Sequence, residues 1–288
     1  MEAVLAQKGR IRSPVGAGMF YPEDRGEILE CFRSYGLIVR EDELPSGNKK
    51  VSAKAQAIIA PHGAWIYSGA LAADAFSSAM DRRGKIHKVI LLGPIHDKRE
   101  DGLFLSNSHS FYTPLGNILV NHEVSEELKF NSKYFEINDI PHLNEHSIEI
   151  LLPFVKYCFP DASIVPILMG QPKTQYIYDL GQALKKVITP VLSETLIVVS
   201  CNLSCDPNPV IALHSAEECI RLFSKKNASE LSAAIFDGRL NSCGSALVAG
   251  LFESGLLDKT RTCSAAENLT SAAGTENNMV YYSEFSYI

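Results

Sequence analysis

The sequence has no long hydrophobic run, and no apolar stretch approaches the roughly 20 residues that a membrane-spanning helix needs. Its first residues, MEAVLAQKGRIRSP, also lack the apolar core of a secretion signal. We therefore predict a cytoplasmic protein that has no membrane partner.

The sequence also lacks an excess of positive charge, because it has 27 Lys and Arg residues and 33 Asp and Glu residues, which give a net charge of −6. No long basic run is present, so a nucleic-acid partner is not favoured. The 7 cysteines are an odd number and are thinly spread. In the cytoplasm this pattern predicts free thiols rather than a disulfide framework.

Several catalytic and binding motifs are absent from the sequence. It contains no dinucleotide-binding G-x-G-x-x-G, no phosphate-binding Walker loop and no G-x-S-x-G nucleophile motif. It has no C-x-x-C pair either, and Cys201 and Cys205 lack the second pair that zinc-finger spacing requires. The common nucleotide-binding, serine-hydrolase and zinc-finger classes therefore gain no support.

What the sequence does contain is an alternation of buried strands and helices. Residues 57–60 and 88–92 are short apolar runs typical of buried strands, and residues 70–80 between them predict a helix, with Gly69 ending the loop before it. The 288 residues suffice for a sizeable core. We predict one α/β domain over residues 1–288, with a mainly parallel central sheet flanked by helices. Further predicted segments are strands at 164–170 and 196–200, helices at 174–188, 228–236 and 245–253, a polar connection at 44–50, a loose tail at 263–278 and an edge strand at 279–288.

Each of the first two predicted strands is followed by a histidine, His62 after the first and His96 after the second. Ligands of open parallel sheets bind outside the carboxyl ends of the strands. Neutral imidazole is the commonest protein ligand of metal ions. The two histidines are therefore either metal ligands or structural residues at strand ends.

A second group combines His142, Glu145, His146 and Glu149, whose spacing would place them on one polar stripe of a helix. Such a stripe is either the solvent-exposed face of a helix or part of a functional site. Residues 142–146 also spell H-x-x-E-H, the signature of one class of zinc peptidases, in which the histidines bind zinc and the glutamate acts on water.

Cys243 stands directly ahead of a predicted helix, where the helix amino terminus favours the thiolate. The alternative is a buried, inert cysteine. A soft thiolate beside two imidazoles would suit iron, copper or zinc.

The segments APHGAWIYSG, LLGPIH, YTPLG, NEHSIEILLPF and VPILMG and the lone CG at Cys243 occur in the order seen in the Memo-like family. In prokaryotes this family is called AmmeMemoRadiSam system protein B, and the chain resembles it from residue 14 to about residue 251. The resemblance implies a fold like that of the class III extradiol dioxygenases of the LigB type, which hold non-haem iron with two histidines and a carboxylate. It further implies metal ligands at His62, His96 and Cys243, with the cysteine in place of the carboxylate.

The same resemblance implies catalytic roles for Glu145 and His146, and a pocket wall that includes Tyr67, Glu149, Asn202 and Cys205. Two positions depart from the family pattern S-S-D-x-S-H, because Asn202 replaces its aspartate and Cys205 its histidine. Losing the aspartate removes a potential base and a support for an imidazole ligand. Cys205 would either add a second thiolate to the site or leave it inactive.

Three hypotheses follow. The favoured one is a metal pocket that takes a small molecule or peptide and holds iron or copper in preference to zinc. A protein with such a pocket would be a metal-dependent oxidoreductase. The second is a non-enzymatic module that binds a peptide or a protein partner through a degenerate pocket. The third is a zinc peptidase acting through His142 and His146, although we expect that these two histidines do not bind zinc together.

Overall fold

A computed structural model describes residues 9–38, 54–264, 270–273 and 278–288 of the chain. The helices in these ranges are α1 Arg25–Ser34, α2 Trp65–Ser77, α3 His122–Phe130, α4 Ile140–Asn144, α5 Leu152–Cys158, α6 Thr174–Ile188, α7 Pro209–Lys225, α8 Ala228–Phe236 and α9 Ser245–Glu253. Short 3-10 helices occupy Met80–Arg82, Glu149–Leu151 and Thr189–Glu194. None of the helices in these ranges is both long enough and apolar enough to span a membrane.

The strands are β1 Ile11–Arg12, β2 Ala57–Ala60, β3 Lys88–Pro94, β4 Leu103–Leu105, β5 Ser110–Phe111, β6 Ile118–Leu119, β7 Phe135–Ile137, β8 Ser163–Met169, β9 Thr195–Ser200, β10 Ser204–Asp206, β11 Thr262–Ser264, β12 Thr270–Ala273, β13 Met279–Tyr282 and β14 Phe285–Tyr287. Eight of them form the central sheet in the order β11-β14-β2-β9-β3-β8-β4-β7. Two small sheets, β1-β5-β6 and β10-β13-β12, lie beside it.

The middle of the central sheet is parallel, because β2, β9, β3 and β8 all run in one direction. Their residues are almost entirely buried, as expected for strands covered by helices on both faces. Antiparallel neighbours follow on either side, β14 next to β2 and β4 next to β8. The fold is therefore α/β with a mainly parallel central sheet, as the sequence predicts.

Two hydrophobic cores lie on the two faces of this sheet, and alternate residues of each strand supply them. In β2, Ala57 and Ile59 point to one face and Ile58 and Ala60 to the other. Helices α6, α7, α8 and α9 cover the first face, and α1, α2 and α5 cover the second. Both faces are thus closed to solvent, which leaves the strand ends as the accessible part of the sheet.

The predicted start of the helix after β2 was wrong. Helix α2 begins at Trp65 rather than at residue 70, so only four residues separate the end of β2 at Ala60 from the helix. Gly69 lies inside this helix and does not end a loop. A Cβ at Gly69 would lie 2.7 Å from the ring of Tyr35, so close packing accounts for the glycine.

The carboxyl-terminal prediction was also wrong in part. Residues 279–288 form two strands, and β14 lies inside the central sheet between β11 and β2 rather than at its edge. Within the predicted loose tail, β11 and β12 are strands. Residues 265–269 and 274–277 of that tail, and the predicted polar connection at 44–50, lie outside the described residues.

Candidate metal centre

The parallel strands bring two histidines to one edge of the sheet. Ala60 at the end of β2 pairs with Ser200 at the end of β9, and Leu92 near the end of β3 pairs with Val199. The strand ends are therefore almost level. His62 and His96 follow β2 and β3, and the centroids of their rings lie 5.3 Å apart.

Cys243 joins these histidines from the loop between α8 and α9. One nitrogen of each histidine and the Sγ atom of Cys243 all lie within 4.8 Å of one another, and Sγ is 3.1 Å from Nε2 of His62. Around a tetrahedral ion with metal–sulfur and metal–nitrogen bonds of about 2.3 and 2.0 Å, neighbouring ligand atoms are about 3.5 Å apart. The donor set therefore fits one ion after small side-chain movements, and an ion held by these three residues could accept a further ligand.

Gly244 explains why the cysteine can reach this edge. A Cβ at position 244 would lie 2.5 Å from the carbonyl oxygen of Ser200 and 2.6 Å from Cβ of Cys201. Only glycine lets the start of α9 approach the end of β9 this closely. The two-residue segment Cys-Gly thus has a packing reason, and α9 begins directly after it at Ser245.

The ring of His62 is oriented by Ser200. Oγ of Ser200 lies 2.7 Å from Nδ1 of His62 and 2.6 Å from the carbonyl oxygen of Ser147. Because a carbonyl oxygen only accepts, the hydroxyl proton goes to Ser147, and Oγ of Ser200 accepts from Nδ1–H of His62. Nε2 of His62, the ring nitrogen that Ser200 leaves available to a metal, faces Sγ of Cys243.

The ring of His96 is oriented by Glu145. Oε1 of Glu145 lies 3.0 Å from Nδ1 of His96, and Oε2 accepts the backbone N–H of His96 at 2.7 Å. Oε1 also accepts the backbone N–H groups of His146 and Ser147. A carboxylate behind an imidazole is a common support for a metal-ligating histidine, because it fixes the ring and raises its basicity.

The charges of these groups depend on one another. Burial alone would raise the pKa of Cys243, but His62 and His96 lower it to about 5. Burial would lower the pKa of His96, but its hydrogen bonds to Cys243 and Glu145 raise it to about 10. Burial opposes ionisation of Glu145 as well, yet His96 lowers the pKa of this carboxyl to about 2. Two anionic groups thus flank the point at which a cation would be bound.

His146, predicted to be catalytic, lies beside this cluster. Its ring stacks on His96 with centroids 4.7 Å apart and on Phe20 at 4.5 Å. Burial lowers its pKa to about 4, against the opposing effect of Glu145, and its side chain remains 24% exposed. The arrangement therefore offers a neutral imidazole next to His62 and His96, whereas Glu145 has both oxygens engaged in hydrogen bonds.

The prediction of one helical stripe from residue 142 to residue 149 was wrong. Helix α4 ends at Asn144, Glu145 has an extended backbone, and the next helical turn begins at Glu149. The physical reason is local, since the carboxylate of Glu145 accepts the N–H groups of His146 and Ser147. These bonds take the place of a helical turn.

His142 is consequently separated from His146. It is buried, its Nε2 lies 3.2 Å from the carbonyl oxygen of Phe104, and its Nδ1 has no hydrogen-bond partner among the described residues. Burial lowers its pKa to about 4. The described residues contain two groups of potential metal ligands, His62–His96–Cys243 and His96–Glu145–His146, and His142 belongs to neither. The geometry therefore gives no support to a zinc peptidase site at H-x-x-E-H.

Glu149, predicted as part of the pocket wall, is fully buried and pairs with Arg12. Its carboxylate also accepts the backbone N–H groups of Val15 and Gly16 and the hydroxyl of Tyr21. Glu149 thus ties the amino-terminal segment to the sheet edge. That segment carries the phenylalanine that stacks on His146.

The remaining predicted pocket residues differ in position. Asn202 is buried, and its Oδ1 accepts the backbone N–H of His62 at 2.9 Å, so the side chain supports the loop and not the imidazole. Cys205 is exposed on β10, outside the His62–His96–Cys243 group. Burial and the nearby Cys243 raise the pKa of its thiol. Tyr67 lies in the first turn of α2 and is 48% exposed.

Sequence reasoning missed two residues of this site. Ser200 could have been suspected, because it ends a predicted strand at the edge that carries the histidines. Phe20 had no such signal, since the ring on which it stacks, that of His146, is far from it in the sequence.

Fold and site together define an α/β protein that holds two strand-end histidines and a cysteine at one sheet edge. The sequence pattern of the family described as Memo-like protein matches residues 12–282. The chain belongs to the Memo-like family. The match covers all the candidate residues, from His62 to Cys243.

Relatives described as MEMO1 family proteins occur in several organisms. A MEMO1 family protein of Thermotoga neapolitana is 32% identical over 247 residues, which cover 85% of this chain and 88% of the relative. One of Methanobrevibacter smithii is 30% identical over 67% of this chain and 69% of its own length. One of Nitrosopumilus maritimus is 26% identical over 81% of this chain and 83% of its own length.

Proposed function

We propose that the protein binds a single transition-metal ion through His62, His96 and Cys243 and uses it for redox chemistry on a molecule bound beside it. The observation that carries the proposal is the approach of the three ligand atoms to within 4.8 Å of one another. Both imidazoles are held by hydrogen bonds to their Nδ1 atoms. Three protein ligands with an open fourth position are typical of catalytic rather than structural metal sites.

Iron or copper suits the proposal better than zinc. Imidazole and thiolate ligands accept all three metals, and only iron and copper would supply one-electron chemistry when bound. The resemblance to a family whose fold is expected to be like that of the iron-binding extradiol dioxygenases favours iron. The chain's own residues then have distinct tasks. Ser200 and Glu145 orient the imidazoles, and His146, neutral at physiological pH, can accept a proton from a bound molecule.

Metal analysis of protein purified without a histidine tag tests the proposal. We expect about one iron or copper ion per chain, and loss of most of it in His62→Ala and in Cys243→Ser. The matched controls are His122→Ala and Cys205→Ser, at exposed positions outside the group, and they should keep the wild-type metal content. The proposal fails if the two site variants keep their metal while folded, as judged by circular dichroism.

A second candidate function is a non-enzymatic module for a peptide or protein partner. Three exposed apolar side chains favour it, Met19 at 73%, Ile66 at 83% and Tyr67 at 48%. They lie close to the site, because the backbone N–H of Trp65 donates to the carbonyl oxygen of Phe20. Metal analysis separates the two functions, since this module would be purified without a bound metal and would keep its fold in chelator.

A further inference from the structure

A cavity of about 340 Å³ opens beside the candidate metal centre. It lies between the carboxyl edge of the sheet and helices α8 and α9, and His96 and Cys243 form part of its wall. A molecule in this cavity would therefore be next to an ion held by these residues. The cavity shares no lining residue with the exposed groove around Met19 and Ile66.

The wall of the cavity is mainly apolar. Its apolar side chains come from the ends of β3 and β8, helix α8, the loop between α8 and α9, and the first turn of α9. They include Ile95, Met169, Ile235, Leu240 and Leu247. A ligand that fills the cavity must bury apolar surface to gain affinity.

The charged groups of the wall select against a cation. The chain has 33 Asp and Glu residues, but none is among the described residues that line the cavity. Lys98 supplies a permanent positive charge there. A divalent ion on His96 and Cys243 would neutralise the thiolate of Cys243 in the wall, and the carboxylate of Glu145 lies behind His96 and does not line the cavity. The cavity is therefore complementary to an anion.

The volume of the cavity limits the size of its ligand. At about 30 Å³ per non-hydrogen atom, the value for liquid water, 340 Å³ holds about eleven such atoms. A cavity of this size can enclose one small organic molecule.

We propose that this cavity binds a small, mainly apolar carboxylate of about ten non-hydrogen atoms, with its chain among Ile235, Leu240 and Leu247 and its charge near Lys98. The proposal names the substrate class of the metal centre and in that respect rests on the proposed function. Binding of the carboxylate itself needs only the cavity and Lys98, so the two ideas can fail separately.

Calorimetric titration of the full-length protein with octanoate, which has ten non-hydrogen atoms, tests the inference. The matched probes are octylamine and 1-octanol, which keep the chain and change the charge. We expect octanoate to bind most tightly and octylamine most weakly. Lys98→Ala should weaken the binding of octanoate about tenfold, because one exposed ionic contact is lost. The affinity for 1-octanol should stay unchanged. Lys85→Ala, at the opposite end of β3, is the control.

Leu240→Trp should abolish binding of octanoate because the indole fills the cavity. If this variant does not fold, Ile235→Trp tests the same effect from another part of the wall. The control is Leu213→Trp, at a partly exposed position on α7 outside the cavity. The inference is overturned if both filling variants fold and bind octanoate like wild type, or if octylamine binds as tightly as octanoate.

The same titrations on chelator-treated and metal-loaded protein separate the two proposals. Octanoate binding that Leu240→Trp removes, in a protein that never takes up metal, supports the cavity and contradicts the metal function. Metal uptake by His62, His96 and Cys243 without octanoate binding supports the metal function and overturns the carboxylate inference.

Discussion

At the scale of single residues, the site depends on groups that orient ligands without binding a metal themselves. We expect Ser200→Ala to weaken metal binding about 10- to 100-fold, because Nδ1 of His62 loses its acceptor and the ring can adopt the wrong tautomer. Competition with a coloured chelator measures the effect. Ser204→Ala is the matched control, since this buried serine also donates to a carbonyl oxygen but lies outside the group. Equal metal affinity in the two variants would contradict the role of Ser200.

The exposed thiol of Cys205 gives a second prediction at this scale. Alkylation of native protein, read by mass spectrometry at each cysteine, should label Cys205 equally with and without chelator, because it lies outside the ligand group. Cys243 should be protected by metal and become reactive after chelation. Protection of Cys205 by metal would instead indicate a site with two thiolates.

At the scale of helices and strands, the sequence predicts regular segments well and irregular ones poorly. The bounds of α6, α8 and α9 agree with the sequence prediction, because their apolar periodicity or strong flanking signals mark the ends. Residues 142–149 have helical spacing, yet the carboxylate of Glu145 interrupts the helix there. A side chain that competes for backbone N–H groups is not visible in periodicity.

The candidate site shows the same division. His62, His96 and Cys243 carry local signals, two strand ends and a helix start, and the structure brings them together. The tasks of Ser200, Phe20 and Glu149 depend on contacts between residues far apart in the chain. Such contacts could be predicted only from the three-dimensional fold.

The attachment of the amino-terminal strand β1 gives the prediction at this scale. The buried guanidinium of Arg12 pairs with Glu149 and donates to the carbonyl oxygens of His142 and Glu145. Arg12→Ala leaves the buried carboxylate without its counter-charge, so we expect the free energy of unfolding in urea to fall by about 3–5 kcal/mol. Arg99→Ala removes an exposed pair with Asp97 and should change the stability little. A similar small effect of Arg12→Ala would show that the ion pair does not hold this segment.

At the scale of the whole molecule, Glu284 lies between β13 of a small sheet and β14 of the central sheet. Burial, followed by the nearby Asp74, raises the pKa of its carboxyl from 4.5 to about 7. As the pH rises, Glu284 therefore loses its proton at a lower pH in the unfolded chain than in the folded protein. Below pH 4.5 its contribution to stability is fully present, and it is lost as the pH rises to 7.

Glu284→Gln should remove this part of the pH dependence. Between pH 4 and pH 8 the stability of the variant should rise relative to wild type by about 3 kcal/mol, as the shift in pKa implies. Urea unfolding at several pH values measures the difference. The exposed Glu126→Gln should follow the wild-type pH dependence. A constant difference between Glu284→Gln and wild type would show that the carboxyl is not perturbed.

The central claim is that three residues from distant parts of the chain hold one metal ion. X-ray absorption spectroscopy of the metal-loaded protein tests it most directly, because the fine structure counts sulfur and nitrogen ligands. We predict one sulfur at about 2.3 Å and two imidazole nitrogens at about 2.0 Å, with loss of the sulfur in Cys243→Ser but not in Cys205→Ser. A spectrum without sulfur, or one that Cys243→Ser leaves unchanged, would contradict the account.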